Sequence, residues 1–200
     1  MRRSLGLVAY EPTWRAMQAF TRSRVPGAED QMWLVEHPSV FTLGLAGRRE
    51  HVITPGEIPV IATDRGGQVT YHGPGQAVAY VLLDLRRRGF GVKELVRRME
   101  QSVIDLLAAY GIEGVRRAGM PGVYVQDAKI AAIGLRIARG CSYHGIALNS
   151  TIDLAPFRRI DPCGYPGLAS TRLADWGVRD SMDAVQQKLS EHLEKCLIPT

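Results

Sequence analysis

Long apolar runs are missing from this sequence of 200 residues, which excludes helices that span a bilayer. A transmembrane helix needs about 20 consecutive apolar residues, and no stretch approaches that length. The chain starts with a basic MRR, but Glu11 and Pro12 interrupt the apolar stretch that follows. That stretch is too short for the core of a secretory signal peptide. We therefore predict a cytoplasmic protein that does not act at a membrane.

Cysteine and lysine are both scarce. The three cysteines, Cys141, Cys163 and Cys196, cannot all pair with one another, and free thiols are expected in a reducing compartment. Lysine supplies four of the 25 basic residues and arginine the rest, for which genomic composition is the simplest explanation. The net charge of +5 predicts an acidic partner.

The motifs of several binding classes are absent as well. Arginines occur in scattered pairs and one triplet, without a long basic tract or helix-turn-helix pattern, so no nucleic-acid partner is expected. Neither CxxC nor HxxxH occurs, so we expect no metal. Neither GxxxxGK[ST] nor GxGxxG occurs either, which disfavours a nucleotide-phosphate loop, and we expect no cofactor.

The apolar periodicity predicts interspersed strands and helices. Spacing of 3.6 residues predicts helices over 13–24, 92–110 and 181–197. Alternating or continuous short apolar runs predict strands over 4–10, 32–36, 40–43, 60–62, 77–83, 122–125, 130–137 and 143–148. Because the order lacks a regular βαβ rhythm, we predict an α+β fold: one domain, residues 1–200, with a mixed sheet flanked by helices.

Residues 64–80, DRGGQVTYHGPGQAVAY, form the most informative segment. Its four glycines between 66 and 75 permit backbone geometries that other residues avoid, and let a ligand approach the main chain closely. Polar and amphipathic residues lie among them, and an apolar strand follows. A functional loop lining a cleft explains this combination better than the alternative, a glycine-rich hairpin with incidental polar residues.

Lys129 is set apart from the other lysines, which fall on predicted amphipathic helices. It opens the apolar strand IAAIGLRI, where its ammonium group is expected to be partly desolvated. The alternative is an edge lysine whose charged end reaches solvent.

Cys163 lies in RRIDPCGYPG, where the surrounding turn residues predict an accessible thiol. An accessible thiol near a cation is available as a thiolate nucleophile. The alternative is an inert structural cysteine. Cys141 is harder to place: it is either a core residue beside the cleft or a second reactive thiol.

Five segments in order resemble one family. Residues 65–80 resemble the signature of the bacterial lipoyl(octanoyl) transferases, followed by PGVYV (121–125), KIAAIG (129–134), HGIALN (144–149) and DPCG (161–164). The resemblance implies the fold of the biotin and lipoate protein ligase catalytic domains. It also implies an octanoyl-[acyl carrier protein]:protein N-octanoyltransferase, the enzyme of the first step of endogenous protein lipoylation.

The resemblance implies partners and residue roles. The donor of the octanoyl (or lipoyl) group is acyl carrier protein, and the acceptors are lysines of the lipoyl domains of 2-oxo acid dehydrogenase complexes and of the glycine cleavage H protein. Cys163 forms the acyl-thioester and Lys129 lowers the pKa of that thiol. Implied substrate-binding residues are Arg65, Gly66, Gly67, Gln68, Val69, Thr70, Tyr71, His72, Ala132, Ile133, Gly134, Gly145, Ile146 and Ala147. We expect a monomer.

Several chemical details remain open from the residues alone. Backbone N–H groups near Gly164 or Lys129 are candidates for the oxyanion site, and Lys129 or His72 for the base that deprotonates the acceptor lysine. The arginines at 158–159 are candidates for docking an acidic carrier protein. Three rival functions share parts of the pattern: an ATP-dependent lipoate ligase, a non-catalytic binder of lipoyl domains or acyl chains, and a cysteine thioesterase.

Overall fold

A seven-stranded sheet is the centre of the protein, whose computed structural model describes residues 1–161 and 168–197. Its strands are β1 (Arg2–Leu7), β2 (Gln31–Glu36), β6 (Gln76–Leu82), β7 (Val115–Arg117), β8 (Met120–Val125), β9 (Ala128–Ala138) and β10 (Cys141–Asn149). They lie in the order β1-β2-β6-β10-β9-β8-β7. Only β1 and β2 run parallel, and the other pairs of neighbours are antiparallel. The prediction of a mixed sheet is confirmed.

Helices cover both faces of this sheet, because the interior strand β6 is buried on both sides. The helices are α1 (Tyr10–Ser23), α2 (Leu85–Arg88), α3 (Val92–Ala109) and α4 (Met182–Leu197). Every residue of β6 is buried. Successive side chains point to opposite faces, so Ala79 packs in the core with α3 and α4, whereas Val78 and Leu82 pack with Met17 of α1.

A second sheet of three strands lies beside the first and was not predicted as a separate sheet. It consists of β3 (Val40–Leu43), β4 (Val60–Ala62) and β5 (Val69–His72), in the order β4-β3-β5. Phe41, Tyr71 and Ile152 belong to its own apolar core. The His37-Pro38 break, predicted to separate two strands, is the point where the chain passes from the larger sheet to the smaller one.

Most predicted elements lie within a few residues of those observed, and the exceptions have local causes. The strand predicted over 4–10 is wrong at its end, because β1 stops at Leu7 and α1 already begins at Tyr10. The short elements β5, β7 and α2 were not predicted. No helix within 1–161 or 168–197 combines the length and the apolar character that crossing a membrane requires.

Candidate active site

A cavity of about 280 Å³ separates the glycine-rich segment from the larger sheet. Strand β5 and the loop before it form the roof, and β6, β9 and β10 form the floor. Nearly all of the predicted substrate-binding residues line it: Arg65, Gly66, Gly67, Gln68, Val69, Thr70, His72, Ala132, Ile133, Gly134, Gly145, Ile146 and Ala147. Lys129 lines it as well. Segments far apart in sequence therefore meet around one space.

Tyr71 is the predicted residue that the structure places elsewhere. Its hydroxyl lies 2.9 Å from the Ser39 hydroxyl, and its ring packs edge-on against Phe157 at 5.3 Å. Since β5 alternates sides, Tyr71 faces the core of the smaller sheet while Thr70 and His72 face the cavity.

Small residues on the neighbouring strands β9 and β10 leave room for the cavity above the sheet. Gly145 pairs across the sheet with Gly134, and Ala147 pairs with Ala132. A Cβ atom at Gly145 would lie 1.9 Å from the Ala79 carbonyl oxygen, a contact that no side chain can make without moving the backbone. Gly145 is therefore required by the approach of β10 to β6, independently of any ligand.

Hydrogen bonds from the Arg65 side chain hold the glycine-rich loop in position above this floor. Its guanidinium donates to the Thr42 carbonyl (2.6 Å), to the Gln68 carbonyl (2.8 Å) and to the carbonyl of Gly66 (3.0 Å). The Gly66 N–H in turn donates to the Leu135 carbonyl of β9 at 2.8 Å. The arginine side chain is 7% exposed, so these bonds hold the roof of the cavity in place.

Lys129 is buried at one end of the cavity, as its place in an apolar strand predicts. It is 8% exposed, and its Nζ lies 3.5 Å from the Pro121 carbonyl and 5.3 Å from the centre of the Tyr124 ring. Its backbone N–H donates to the Ala169 carbonyl at 2.8 Å. This N–H, one of the groups considered for the oxyanion site, therefore already has an acceptor.

Cys163, the predicted nucleophile, lies outside the described residues, as does Gly164. The chain that follows borders the site, since Leu168 lines the cavity and the Ala169 carbonyl accepts from the Lys129 N–H. On the other side, the Asp161 N–H donates to the His51 carbonyl at 2.9 Å. The thioester role of Cys163 stays a prediction.

The other two thiols are poor candidates for nucleophiles. Cys141 is buried at the start of β10 and is absent from the cavity lining. Burial raises the pKa of Cys141. Burial likewise raises the pKa of Cys196, whose Sγ lies 3.8 Å from an oxygen of Asp105. Of the two alternatives left open for Cys141, the structure favours a core residue.

Tyr10, Tyr80 and the neutral His72 line the cavity, and His37 packs against the rings of Tyr10 and Tyr80 without lining it. His72 donates through Nδ1 to Gln76 Oε1 at 2.7 Å, and His37 donates through Nδ1 to the Val8 carbonyl at 2.7 Å. Burial lowers the pKa of His72 to about 3 and that of His37 to about 4. Tyr10 stacks on His72 at 5.5 Å. A group with so low a pKa is a weak base, which disfavours His72 as the base for the acceptor.

Asp64 and His144 form a polar centre that the sequence did not reveal. His144 Nε2 donates to Asp64 at 2.9 Å, and the same carboxylate accepts from Trp14, Gln18 and Tyr143. Burial opposes the charge on Asp64, but these four donors outweigh it and hold the carboxyl pKa well below its usual range. Burial lowers the pKa of His144, so its ring is neutral and donates from Nε2.

His144 also has an unusual backbone. Its φ is +62°, in the left-handed region that non-glycine residues rarely adopt. This rotation places its ring beside that of Tyr143, at 5.1 Å, instead of on the opposite face of β10. The carboxylate that fixes the ring lies 80 residues earlier. The only signal in the sequence for this pair is that Asp64 directly precedes one matched segment, residues 65–80, and His144 opens another, HGIALN.

The two arginines considered for docking are exposed, on the 3₁₀ helix Ala155–Arg159. Phe157 of the same helix lines the cavity, so the arginines lie on an element that borders the site. Within 1–161 and 168–197, no three His, Cys, Asp or Glu side chains come together as metal ligands would.

Comparisons with known proteins give the family of this chain. Residues 9–194 match the sequence model of the lipoyl protein ligase A/B catalytic domain. The octanoyltransferase of Thiobacillus denitrificans is 60% identical over 195 residues, spanning 98% of this chain and 89% of that protein. The octanoyltransferase of Pseudomonas putida strain W619 is 59% identical, spanning 98% and 91%. The chain belongs to the octanoyltransferases of the lipoyl protein ligase A/B family. The predicted resemblance and the predicted acyltransferase are both confirmed.

Solved structures extend the likeness of this octanoyltransferase-family chain to its fold. A crystal structure of lipoate-protein ligase A bound with ATP has a TM-score of 0.78 at 17% identity, covering 98% of this chain and 85% of that one. Biotin protein ligase from Aquifex aeolicus in complex with biotin and ATP has a TM-score of 0.59 at 13% identity, covering 98% and 68%. The predicted ligase-like fold is therefore confirmed.

Proposed function

We propose that this protein transfers an octanoyl group from acyl carrier protein to a lysine of lipoyl domains through a thioester on Cys163. The observation that carries the proposal is the cavity with buried Lys129 at one end, in a chain about 60% identical to octanoyltransferases. The acceptors we propose are the lipoyl domains of 2-oxo acid dehydrogenase complexes and the glycine cleavage H protein. Transfer to them would be the first step of endogenous lipoylation.

The cavity suits a short acyl chain. Its floor is made of Ala132, Ala147 and Val78, and Ile133 and Ile146 also line it. Each methylene group removed from water contributes about 0.8 kcal/mol, so an eight-carbon chain gains enough to be anchored without any polar contact. A lipoyl group is a second substrate of the same proposal.

The first half-reaction exchanges one thioester for another. The Cys163 thiolate attacks the carbonyl carbon of the carrier-bound octanoyl group, a new C–S bond forms, and the bond to the carrier's sulfur breaks. Because the two thioesters are similar in energy, the exchange requires no ATP. The Lys129 ammonium would stabilise the attacking thiolate and then protonate the carrier thiolate that leaves.

The second half-reaction forms an amide. The acceptor lysine attacks the Cys163 thioester as a neutral amine, the C–N bond forms and the Cys163 thiolate departs. Having given up its proton in the first half, Lys129 is the amine that accepts the proton lost by the acceptor. This assignment favours Lys129 over His72, because burial keeps the pKa of His72 near 3.

Two exposed arginines lie on an element that borders the cavity. The chain carries a net charge of +5, and the exposed arginines at 158–159 lie on the helix whose Phe157 lines the cavity. An acidic carrier protein would be steered towards such a border by charge complementarity. We propose that these arginines bind acyl carrier protein.

Intact mass of the purified protein tests the function directly. Octanoyl-carrier protein is added without ATP, and apo lipoyl domain follows. We expect a gain of roughly 126 Da, one octanoyl group on the protein, which then moves to the lipoyl domain. Modification that requires ATP and free acid would instead establish the ligase, release of free octanoate the thioesterase, and binding without any mass change the non-catalytic binder.

Lys129→Met tests the role of the buried ammonium group. We expect the pKa of the Cys163 thiol to rise, measured as alkylation rate against pH in a background lacking the other two cysteines. Octanoyl transfer is expected to fall at least about 100-fold. Lys129→Arg is the matched control, since it keeps the charge and cannot act as a base: it should preserve the thiol titration but not transfer. An unchanged titration in Lys129→Met would restrict Lys129 to deprotonating the acceptor.

A further inference from the structure

The cavity extends along the strands of its floor. Gln76 and Tyr80 of β6 both line it, and they pair with Asn149 and Gly145 of β10, which line it too. These two rows lie four residues apart, and an antiparallel strand rises by about 3.4 Å per residue. The cavity therefore runs along the strands for at least four residues, from the row of Gln76 and Asn149 to the row of Tyr80 and Gly145.

Lys129 lies at the Asn149 end. The Thr171 carbonyl accepts from Asn149 Nδ2 at 2.9 Å, and the Thr171 N–H donates to the Lys129 carbonyl at 3.0 Å. One residue therefore joins Lys129 to Asn149. If acyl transfer takes place beside Lys129, as the proposed function requires, the methyl end of the acyl chain points towards the row of Tyr80 and Gly145.

Two buried aromatic side chains close that far end. Tyr80 is 3% exposed and His144 is 1% exposed, with ring centres 6.2 Å apart. Each is fixed by a hydrogen bond: the Tyr80 hydroxyl donates to His37 Nε2 at 2.6 Å, and His144 donates to Asp64 at 2.9 Å. Because both side chains are held by hydrogen bonds, they do not move aside for a longer acyl chain.

We infer that Tyr80 sets the upper limit of acyl-chain length by ending the cavity. The residues that pack around Tyr80 make the inference specific. Tyr80 belongs to an apolar cluster with Met17, Trp33 and Leu82. Val78 and Ala147 line the cavity and belong to this same cluster. The acyl cavity and the core under α1 are thus neighbouring apolar spaces, and Tyr80 belongs to both.

Tyr80→Val tests this inference, with Tyr80→Phe as the matched control. Valine shortens the wall and opens the cavity towards the apolar cluster, whereas phenylalanine keeps the ring and removes only the hydroxyl. For Tyr80→Val we expect the kcat/KM ratio of decanoyl to octanoyl donor to rise at least about tenfold, the effect of one or two methylenes in an apolar pocket. Tyr80→Phe should keep the wild-type ratio, whatever its absolute rate.

A variant that reduces the cavity volume should shift the preference towards shorter chains, and this test does not depend on Tyr80→Val being stable. Ala147→Val raises the floor, so the ratio of hexanoyl to octanoyl transfer should rise about tenfold. Thermal unfolding of each variant confirms that it is folded. Either a folded Tyr80→Val protein or a folded Ala147→Val protein with the wild-type chain-length profile would overturn the inference. Since it depends on the proposed function, the wild type is run first: absence of octanoyl transfer there would refute the function itself.

Discussion

Cys163→Ser is expected to lose octanoyl transfer by at least about a thousandfold, since replacing a covalent nucleophile removes the whole two-step route. The octanoyl adduct should disappear from the intact mass spectrum at the same time. A serine hydroxyl is almost entirely protonated near neutral pH, so it is a much weaker nucleophile than a thiolate. The Lys129 ammonium group does not compensate for this loss of nucleophilicity.

The other two cysteines provide matched controls. Cys141→Ser and Cys196→Ser alter thiols that are partly or fully buried and whose pKa burial raises, so both variants should keep the adduct. Peptide mapping of the wild-type adduct locates the group independently. An adduct that persists in Cys163→Ser and maps to Cys141 would contradict the assignment of the nucleophile.

Lowering the pH from 7 to 5 is expected to reduce the free energy of unfolding by on the order of 4 kcal/mol. A histidine in the unfolded chain has a pKa of about 6.5, whereas burial lowers the pKa of His37 to about 4 and that of His72 to about 3. Between these values the unfolded state binds protons that the folded state does not. Each such histidine contributes about 1.4 kcal/mol per pH unit, and stability is lost as the pH falls.

The pH window separates these histidines from the carboxylates, because both contributions are lost as the pH falls. The pKa of Asp64 is held below the usual carboxyl range, so its contribution is complete well above about 3.9, the pKa of an unfolded aspartate, and is lost as the pH falls from there towards the folded pKa. The loss between pH 7 and 5 is therefore assigned to the buried imidazoles, with His144 acting in the same direction. Because a domain is stable by only about 5–15 kcal/mol, the effect is a large fraction of the total.

Urea unfolding at pH 7 and pH 5 measures this effect. His72→Gln should reduce the pH dependence by about one proton, because glutamine does not titrate. His192, half-buried on α4, provides the matched control, since His192→Gln should keep most of the dependence. Equal free energies of unfolding at the two pH values would contradict the neutral state of His37 and His72.

The parts of the fold that the sequence predicts are those governed by local patterns. Strand β6 is recognisable because a continuous apolar run marks a strand buried on both faces, and α3 because its apolar residues recur at helical spacing. Strand β5 is four residues long inside a glycine-rich segment. Its identity as a strand depends on pairing with β3, a partner that no local pattern reveals.

The same distinction applies to the site. A contiguous block, residues 65–72, was assigned to the substrate because the family motif is contiguous, yet strand alternation turns Tyr71 away from the cavity. The Asp64–His144 pair and the wall at Tyr80 arise from hydrogen bonds between residues 80 and 43 positions apart. Spacing along the chain contains no record of such contacts, so these features required the structure.

The position of α4 has a consequence for how the protein folds during synthesis. It is the last described element along the chain, yet Val185, Leu189 and Leu193 pack in the core between the sheet and α3. Gln186 of α4 also donates to the Val35 carbonyl of β2 at 3.1 Å. All ten described strands and α3 therefore leave the ribosome before α4, the second helix on this face of the sheet, has been synthesised. Until residues 182–197 emerge, the part of the face that α4 covers stays exposed, as the kind of apolar surface that chaperones bind.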